Sequence, residues 1–150
     1  MRFTWYAYPE SESTPVTYPL ILVEPGLTFI DLSKATRLAA VAFRVDGCSV
    51  EWVTTALQTI PPGHRDFRRV SIYAPRHLTG AGADVKQTIA EQFLSQWLDL
   101  DRLLVRLWET RSIRPEVVCV RPHKNKQIMM DSMGCLLPEL TKREVIDLVE

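Results

Sequence analysis

Most of what this 150-residue chain lacks excludes something. It has no long hydrophobic run. Its apolar stretches, such as Leu20-Ile-Leu-Val23, fall well below the roughly 20 residues that a membrane-crossing helix needs. The opening Met1-Arg-Phe-Thr-Trp-Tyr-Ala-Tyr-Pro9 lacks the apolar core and small-residue cleavage site of a signal peptide. Neither sign of charge is in excess: 18 Lys plus Arg balance 18 Asp plus Glu. No global field therefore steers the chain toward nucleic acid or an anionic membrane. Cysteine is scarce and odd in number, with Cys48, Cys119 and Cys135 far apart, as suits reduced thiols. No Asn-x-Ser/Thr acceptor occurs, so a cytoplasmic or nuclear protein is expected. No Gly-x-Ser-x-Gly, P-loop or His-Glu-x-x-His is present. Hence no enzyme, catalytic residue, cofactor or small-molecule ligand is expected.

What is present is a repeated ladder of apolar residues. Leu27, Ile30 and Leu32 form the first copy, Leu38, Val41 and Phe43 the second, and Phe67, Val70 and Ile72 the third. Pro115, Val118 and Val120 form a weaker fourth. Alternation of this kind predicts strands. Between the second and third copies Gly47 breaks the chain, Ser49 can cap a helix, and Val53, Ala56, Leu57 and Ile60 fall on one helical stripe. Pro61-Pro62-Gly63 ends that helix, and Pro75 closes the strand after it. Strand, helix and strand over so short a span predict a parallel βαβ unit.

Residues 1–26 carry Pro9, Pro15, Pro19 and Pro25, which predict an extended arm bearing Phe3, Trp5, Tyr6, Tyr8 and Tyr18. After the third ladder, residues 76–83 read as a loop. Asp84 then caps a long buried helix through Val85, Ile89, Phe93, Trp97, Leu100, Leu104 and Leu107, or two helices broken near Asp99. Val117 to Val120 reads as a buried strand and Arg121 to Met133 as a loop. Thr141, with Glu144 three residues on, caps a last helix that runs to the final residue. The expected architecture is an arm over 1–26 and a single α/β domain over 27–150. That domain has a small parallel sheet of three or four strands with helices packed on it.

Three constellations could carry chemistry. Gly80-Ala-Gly82-Ala-Asp84 sits where a dinucleotide-binding turn would, but Val85 occupies its third glycine position, so a flexible loop is the better reading. Cys119, His123 and Cys135 offer three spaced metal ligands where a closed zinc site needs four, and Cys119 alternates within an apolar strand. No metal is expected there. Two basic clusters stand out: His64, Arg65, Arg68, Arg69, Arg76 and His77, then Arg111, Arg114, Arg121, Lys124 and Lys126. If their strands are parallel neighbours, Arg76 and Arg121 share the carboxyl edge of the sheet, where open α/β sheets bind ligands. Asp99 and Asp101, two apart on a helix, face different ways and cannot act as an acid–base pair.

The second and third ladders start 29 residues apart, within the range of leucine-rich repeats, each a strand plus a helix. The wording is also familiar in Asp31-Leu-Ser-Lys-Ala-Thr-Arg-Leu38, Val50-Glu-Trp-Val-Thr-Thr-Ala-Leu-Gln-Thr-Ile60, Trp97-Leu-Asp-Leu-Asp-Arg-Leu-Leu104, Ser112-Ile-Arg-Pro115 and Leu136-Leu-Pro-Glu-Leu-Thr-Lys-Arg143. Together these segments resemble the C-terminal, leucine-rich-repeat-like region of fungal F-box-type proteins, over about residues 27–150. The resemblance implies a substrate-recognition or scaffold surface and supplies no catalytic residue. The F-box itself is missing, which implies a truncated relative. The expected function is therefore a non-enzymatic protein-interaction module with an unidentified protein partner. Trp5, Tyr6, Tyr8, Arg76, Arg121 and Lys124 are its candidate contacts. The alternatives are a small nucleotide or phosphate-ligand binder built on the 80–84 loop, and nucleic-acid binding through the arginine clusters, which the neutral charge balance argues against.

Overall fold

The computed structural model describes residues 20–23, 31–34, 38–63, 65–119 and 124–149, with backbone alone for 20–23 and 147–149. Five parallel strands form one sheet: β1 (Leu20–Val23), β2 (Ala40–Arg44), β3 (Arg69–Ala74), β4 (Arg114–Cys119) and β5 (Asp147–Val149). Their order across the sheet is β1-β2-β3-β4-β5, the order of the chain. The expected parallel α/β class holds, with a sheet wider than the three or four strands expected. The second and third ladders are β2 and β3 with their flanks. Val41 pairs with Val70 and Phe43 with Ile72, so the 29-residue repeat in the sequence is also the register of the sheet.

The other two ladders fare differently. Residues 27–30 of the first lie outside the described residues, and its Asp31 and Leu32 are in no strand. Leu32 is instead buried, its N–H donating to Thr59 Oγ1 at 2.7 Å. The outer strand is β1, within the stretch read from its prolines as part of an arm. The fourth ladder is out of phase. Val70 pairs with Pro115, Ile72 with Val117 and Ala74 with Cys119, so Pro115, Val117 and Cys119 face the core and Val118 faces away. A strand alternates every second residue, and a spacing of three after Pro115 changes face.

The helices are α1 (Glu51–Gln58), α2 (Arg76–Thr79), α3 (Val85–Thr88), α4 (Glu91–Arg111), α5 (Lys126–Leu136) and α6 (Pro138–Lys142). With strands in chain order and crossovers of one hand, the described connections return on the same side of the sheet. The core accordingly joins Val41, Phe43, Val70, Ile72, Ala74 and Val117 to Val53, Leu57, Trp97, Leu100, Leu104, Met133 and Leu140. Ala40, Ala42, Arg44, Arg69, Ser71, Tyr73, Arg114, Glu116 and Val118 point to the opposite face and take no part in that cluster.

Several helix ends differ from expectation. Ser49 does not cap α1; its hydroxyl donates to Gln96 Oε1 at 2.9 Å. That oxygen also accepts from Val50 N at 3.0 Å and Glu51 N at 3.3 Å, so α4 caps α1 from across the core. Asp84 makes no side-chain cap. The expected long helix breaks at Ile89 and Ala90, both extended (ψ 144° and 147°), rather than near Asp99. Residues 76–83 hold α2 and the start of a short 3-10 turn, Gly82–Asp84.

Much of the expected loop 121–133 is helix α5. Asn125 Oδ1 accepts from Gln127 N at 2.9 Å, and Met129, Ser132, Met133 and Leu136 share one buried stripe. The capping box at Thr141 does not form: Thr141 lies inside α6, and Glu144 turns the chain with φ 54°. The apolar run after it becomes β5 instead of a helix, pairing Leu148 with Val117 and covering the edge of β4.

Asp101, one face round α4 from the exposed Asp99, is buried. Its Oδ2 accepts from Glu139 N at 2.9 Å and its Oδ1 from Leu140 N at 3.1 Å, capping α6. Removing that carboxylate strands two N–H groups. Asp101→Ala is therefore expected to cost about 2–4 kcal/mol in urea unfolding. Burial pushes the Asp101 carboxyl above its ordinary range, against the two backbone hydrogen bonds that pull it down. The folded chain then binds that proton more tightly than the unfolded chain. The carboxyl's contribution to stability is complete below the unfolded pKa and lost as pH rises through the raised folded one. Unfolding series from about pH 3 to 7 should show that slope in the native chain and lack it in Asp101→Asn. Thr54 Oγ1 is buried without any hydrogen-bond partner. Thr54→Val should stabilise the fold by about 1 kcal/mol in the same assay.

Candidate functional site

The sheet face turned away from the core gathers side chains that are far apart in sequence. Register sets them in rows: Ala40, Arg69 and Arg114; Ala42, Ser71 and Glu116; Arg44, Tyr73 and Val118. The centre of this face is small and closed, with Ala42, Ser71 and Glu116 buried. Toward its ends Arg44 and Arg114 are exposed and Tyr73 and Val118 half-buried. Arg69 Nε stands 3.9 Å from Glu116 Oε2, and Arg44 Nε is 3.1 Å from Asp46 Oδ1. Arg44, Arg69 and Arg114 thus share this face with Glu116, although the chain as a whole is neutral. Across it Tyr73 stands between Arg44 and Val118, while Arg69 and Arg114 lie side by side at the other end.

The carboxyl edge of the sheet is built differently. Strands in unbroken chain order never reverse, so the crevice where doubly wound sheets hold nucleotides has no counterpart here. The glycine loop is turned inward. Gly82 N donates to Ser132 Oγ at 2.8 Å, Gly80 N donates to Arg76 O at 2.8 Å, and the Ser132 hydroxyl lies 3.0 Å from Thr79 O. A Cβ on Gly82 would stand 3.6 Å from Ile128 Cγ2. Gly82 therefore seats the loop under α5, and the N–H groups of both glycines are spent within the protein. Their use in a pyrophosphate cradle does not follow. Nearby, Cys48 Sγ lies 3.9 Å from His77 Nε2, and Trp97 Nε1 donates to Cys48 O at 3.0 Å. This Cys–His contact joins residues 29 apart in sequence, and no local spacing announces it.

Of the residues singled out in sequence, Arg76 and Lys124 are exposed, Arg76 beyond β3 and Lys124 beyond β4. β3 and β4 are parallel neighbours, as that argument required. Trp5, Tyr6, Tyr8, Arg121 and His123 lie outside the described residues. Cys119 is buried and Cys135 half-buried, and no group of three potential metal ligands occurs among the described residues. Asp99 pairs with Arg102 at 3.0 Å on the surface while Asp101 is buried, so the two carboxylates are indeed separated. Among the described residues no helix is long and apolar enough to cross a membrane. Arg69 and Arg114 belong to the two basic clusters of the sequence, whereas Arg44 and Tyr73 join them only through strand register, which no sequence spacing shows. The alternate residues opposite each ladder were the only signal for those two.

Fold and face together define a parallel α/β domain with a one-sided core. Comparisons with protein-family models, curated proteins and solved structures give no match to this chain. With φ +62° at Gly82, Gly82→Ala should cost about 1–2 kcal/mol in stability. NAD, whose pyrophosphate carries no terminal phosphoryl dianion, should leave the melting temperature unchanged; a ligand-dependent rise would restore the nucleotide reading.

Proposed function

We propose that this chain is a non-enzymatic protein-interaction module acting in the cytoplasm or nucleus. Its contact surface is the sheet face opposite the helices. The observation that supports the reading best is the one-sided core. The helices pack on one face of the sheet, and the other carries Arg44, Arg69, Tyr73, Arg114 and Val118. A face that gathers arginines beside Tyr73 and Val118 suits an extended, acidic protein segment. The resemblance to the repeat region of fungal F-box-type proteins belongs to the same proposal. Leucine-rich-repeat stacks share parallel strands in chain order, helices to one side and recognition across the strands. On this reading the chain serves as the substrate-recognition or scaffold part of such a relative.

A photo-crosslinking residue placed at Tyr73, with a second at Gln92 on α4 as the control, tests the proposal in the native cells. Tyr73 should capture a protein partner through an acidic segment that Gln92 does not. Arg44→Glu with Arg114→Glu should weaken that partner's binding about tenfold or more, with most of the loss at low salt. Equal capture at both positions, or binding indifferent to the charge reversal, would remove the sheet face from the function.

A further inference from the structure

The amino edge of the sheet carries a second basic feature, distinct from the face. Pro62, Gly63, Arg65, Phe67, Arg68 and Arg111 line an open cleft of about 360 Å³. Its three guanidinium-bearing residues come from two supports, the approach to β3 and the end of α4. Arg68 is clamped by the backbone: its N–H donates to Ala39 O and its carbonyl accepts from Arg114 N, both at 2.8 Å. Arg111 ends the 21-residue α4, and its guanidinium carbon lies 6.0 Å from the centre of the Phe67 ring. Phe67 is itself buried, so this stacking surface is fixed in the core. Arg65 follows the turn made by Pro61, Pro62 and Gly63.

Two of the three arginines have no acidic partner among the described residues. No described carboxylate pairs with the side chain of Arg65 or Arg68, and Asp66, between them in sequence, does not line the cleft. A neighbouring cleft at the same edge shows the contrast. There Trp108, Ser112, Arg114, Arg143, Glu144 and Val145 enclose about 420 Å³, and Arg143 pairs with Glu109 and lies 4.0 Å from Glu139. Arg143 of that cleft answers the protein's own acids. Arg65 and Arg68 do not.

We infer that the Arg65–Arg68–Arg111 cleft binds a phosphate monoester dianion. A carboxylate offers two oxygens in one plane and satisfies one guanidinium fork. Three arginines lining one cleft, two from the approach to β3 and one from the end of α4, match a phosphoryl group, with three terminal oxygens and nearly two negative charges at neutral pH. The cleft also has room beyond a phosphoryl group for part of the molecule that bears it. The chemistry is common to free phosphate, a small phosphate ester and a phosphorylated side chain. This inference does not rest on the sheet-face reading, since none of the six lining residues belongs to that face.

Titration calorimetry of the full chain with inorganic phosphate, a phosphoserine peptide and the same peptide unphosphorylated tests it. Phosphate and the phosphopeptide should bind saturably at one site and the plain peptide should not. A tighter phosphopeptide marks a phosphorylated protein as the source, equal affinities mark free phosphate, and either result supports the cleft. Arg65→Gln and Arg68→Gln should each weaken binding about tenfold or more. Arg102→Gln, on the exposed side of α4, should leave it unchanged. The inference is overturned if neither phosphate species saturates a site. It is equally overturned if Arg102→Gln costs as much as Arg68→Gln, since binding would then follow net charge alone. Melting curves of the three variants, all at exposed side chains, verify that each remains folded.

Discussion

A helix end buried in a protein core must find partners for its free N–H groups, and here the long helix α4 supplies them for two others. Gln96 offers one oxygen to the start of α1, and Asp101 offers two to the start of α6. Trp97, buried between these two residues, donates its indole N–H to Cys48 O in the loop that leads into α1. Over six residues α4 thus fixes the chain before it and the chain after it. Its apolar stripe packs on the sheet through Trp97, Leu100 and Leu104. These polar contacts cost little while they are made and a great deal when one partner is removed, because the other is left dry.

The sheet imposes the second constraint. Parallel pairing in chain order with one crossover sense sends the connections to one side, so the two faces of β2–β4 have different chemistry. One is an apolar core. The other is a row pattern of small residues at the centre and arginines toward the ends. Both basic features follow from this layout. The face collects alternate residues of neighbouring strands, and the amino edge brings the approach to β3 beside the end of α4.

How much was legible in the sequence depended on how local each signal is. The α/β class, the β2–α1–β3 unit and the α4 stripe were legible because a strand alternates every second residue and a helix every third or fourth. The 29-residue ladder repeat is also the β2–β3 register, a correspondence that rests on equal phase in the two strands. The phase of β4 was misread because Val118 and Val120 are as apolar as the residues that face the core. The N-terminus of α1 looked self-sufficient with Ser49 beside it, whereas its acceptor comes from Gln96, 46 positions past Val50. The signals for α5 were present in Asn125 and the Met129, Met133 and Leu136 stripe, hidden among polar neighbours. The last apolar run fits a helix or a strand by pattern, and the open edge of β4 decides for a strand. The two basic clusters were legible, but which of their arginines share the sheet face and which the cleft was not, since strand register and the end of α4 decide that.

Strand order also bears on how the chain can assemble as it is made. Each strand pairs with the one synthesised just before it, so the growing sheet never has to wait for a distant strand to fill a gap. Closing the 45 residues from Arg69 to Arg114 costs only about 0.4 kcal/mol more in chain entropy than closing the 29 from Ala40 to Arg69. Strand pairing can therefore keep pace with the ribosome. The helix ends cannot. The first turn of α1 stays uncapped until Gln96 emerges, and Asp101 stays unpaired until Glu139 and Leu140 follow. Backbone order arrives first and from the amino end, while the buried polar contacts that lock it close late and together.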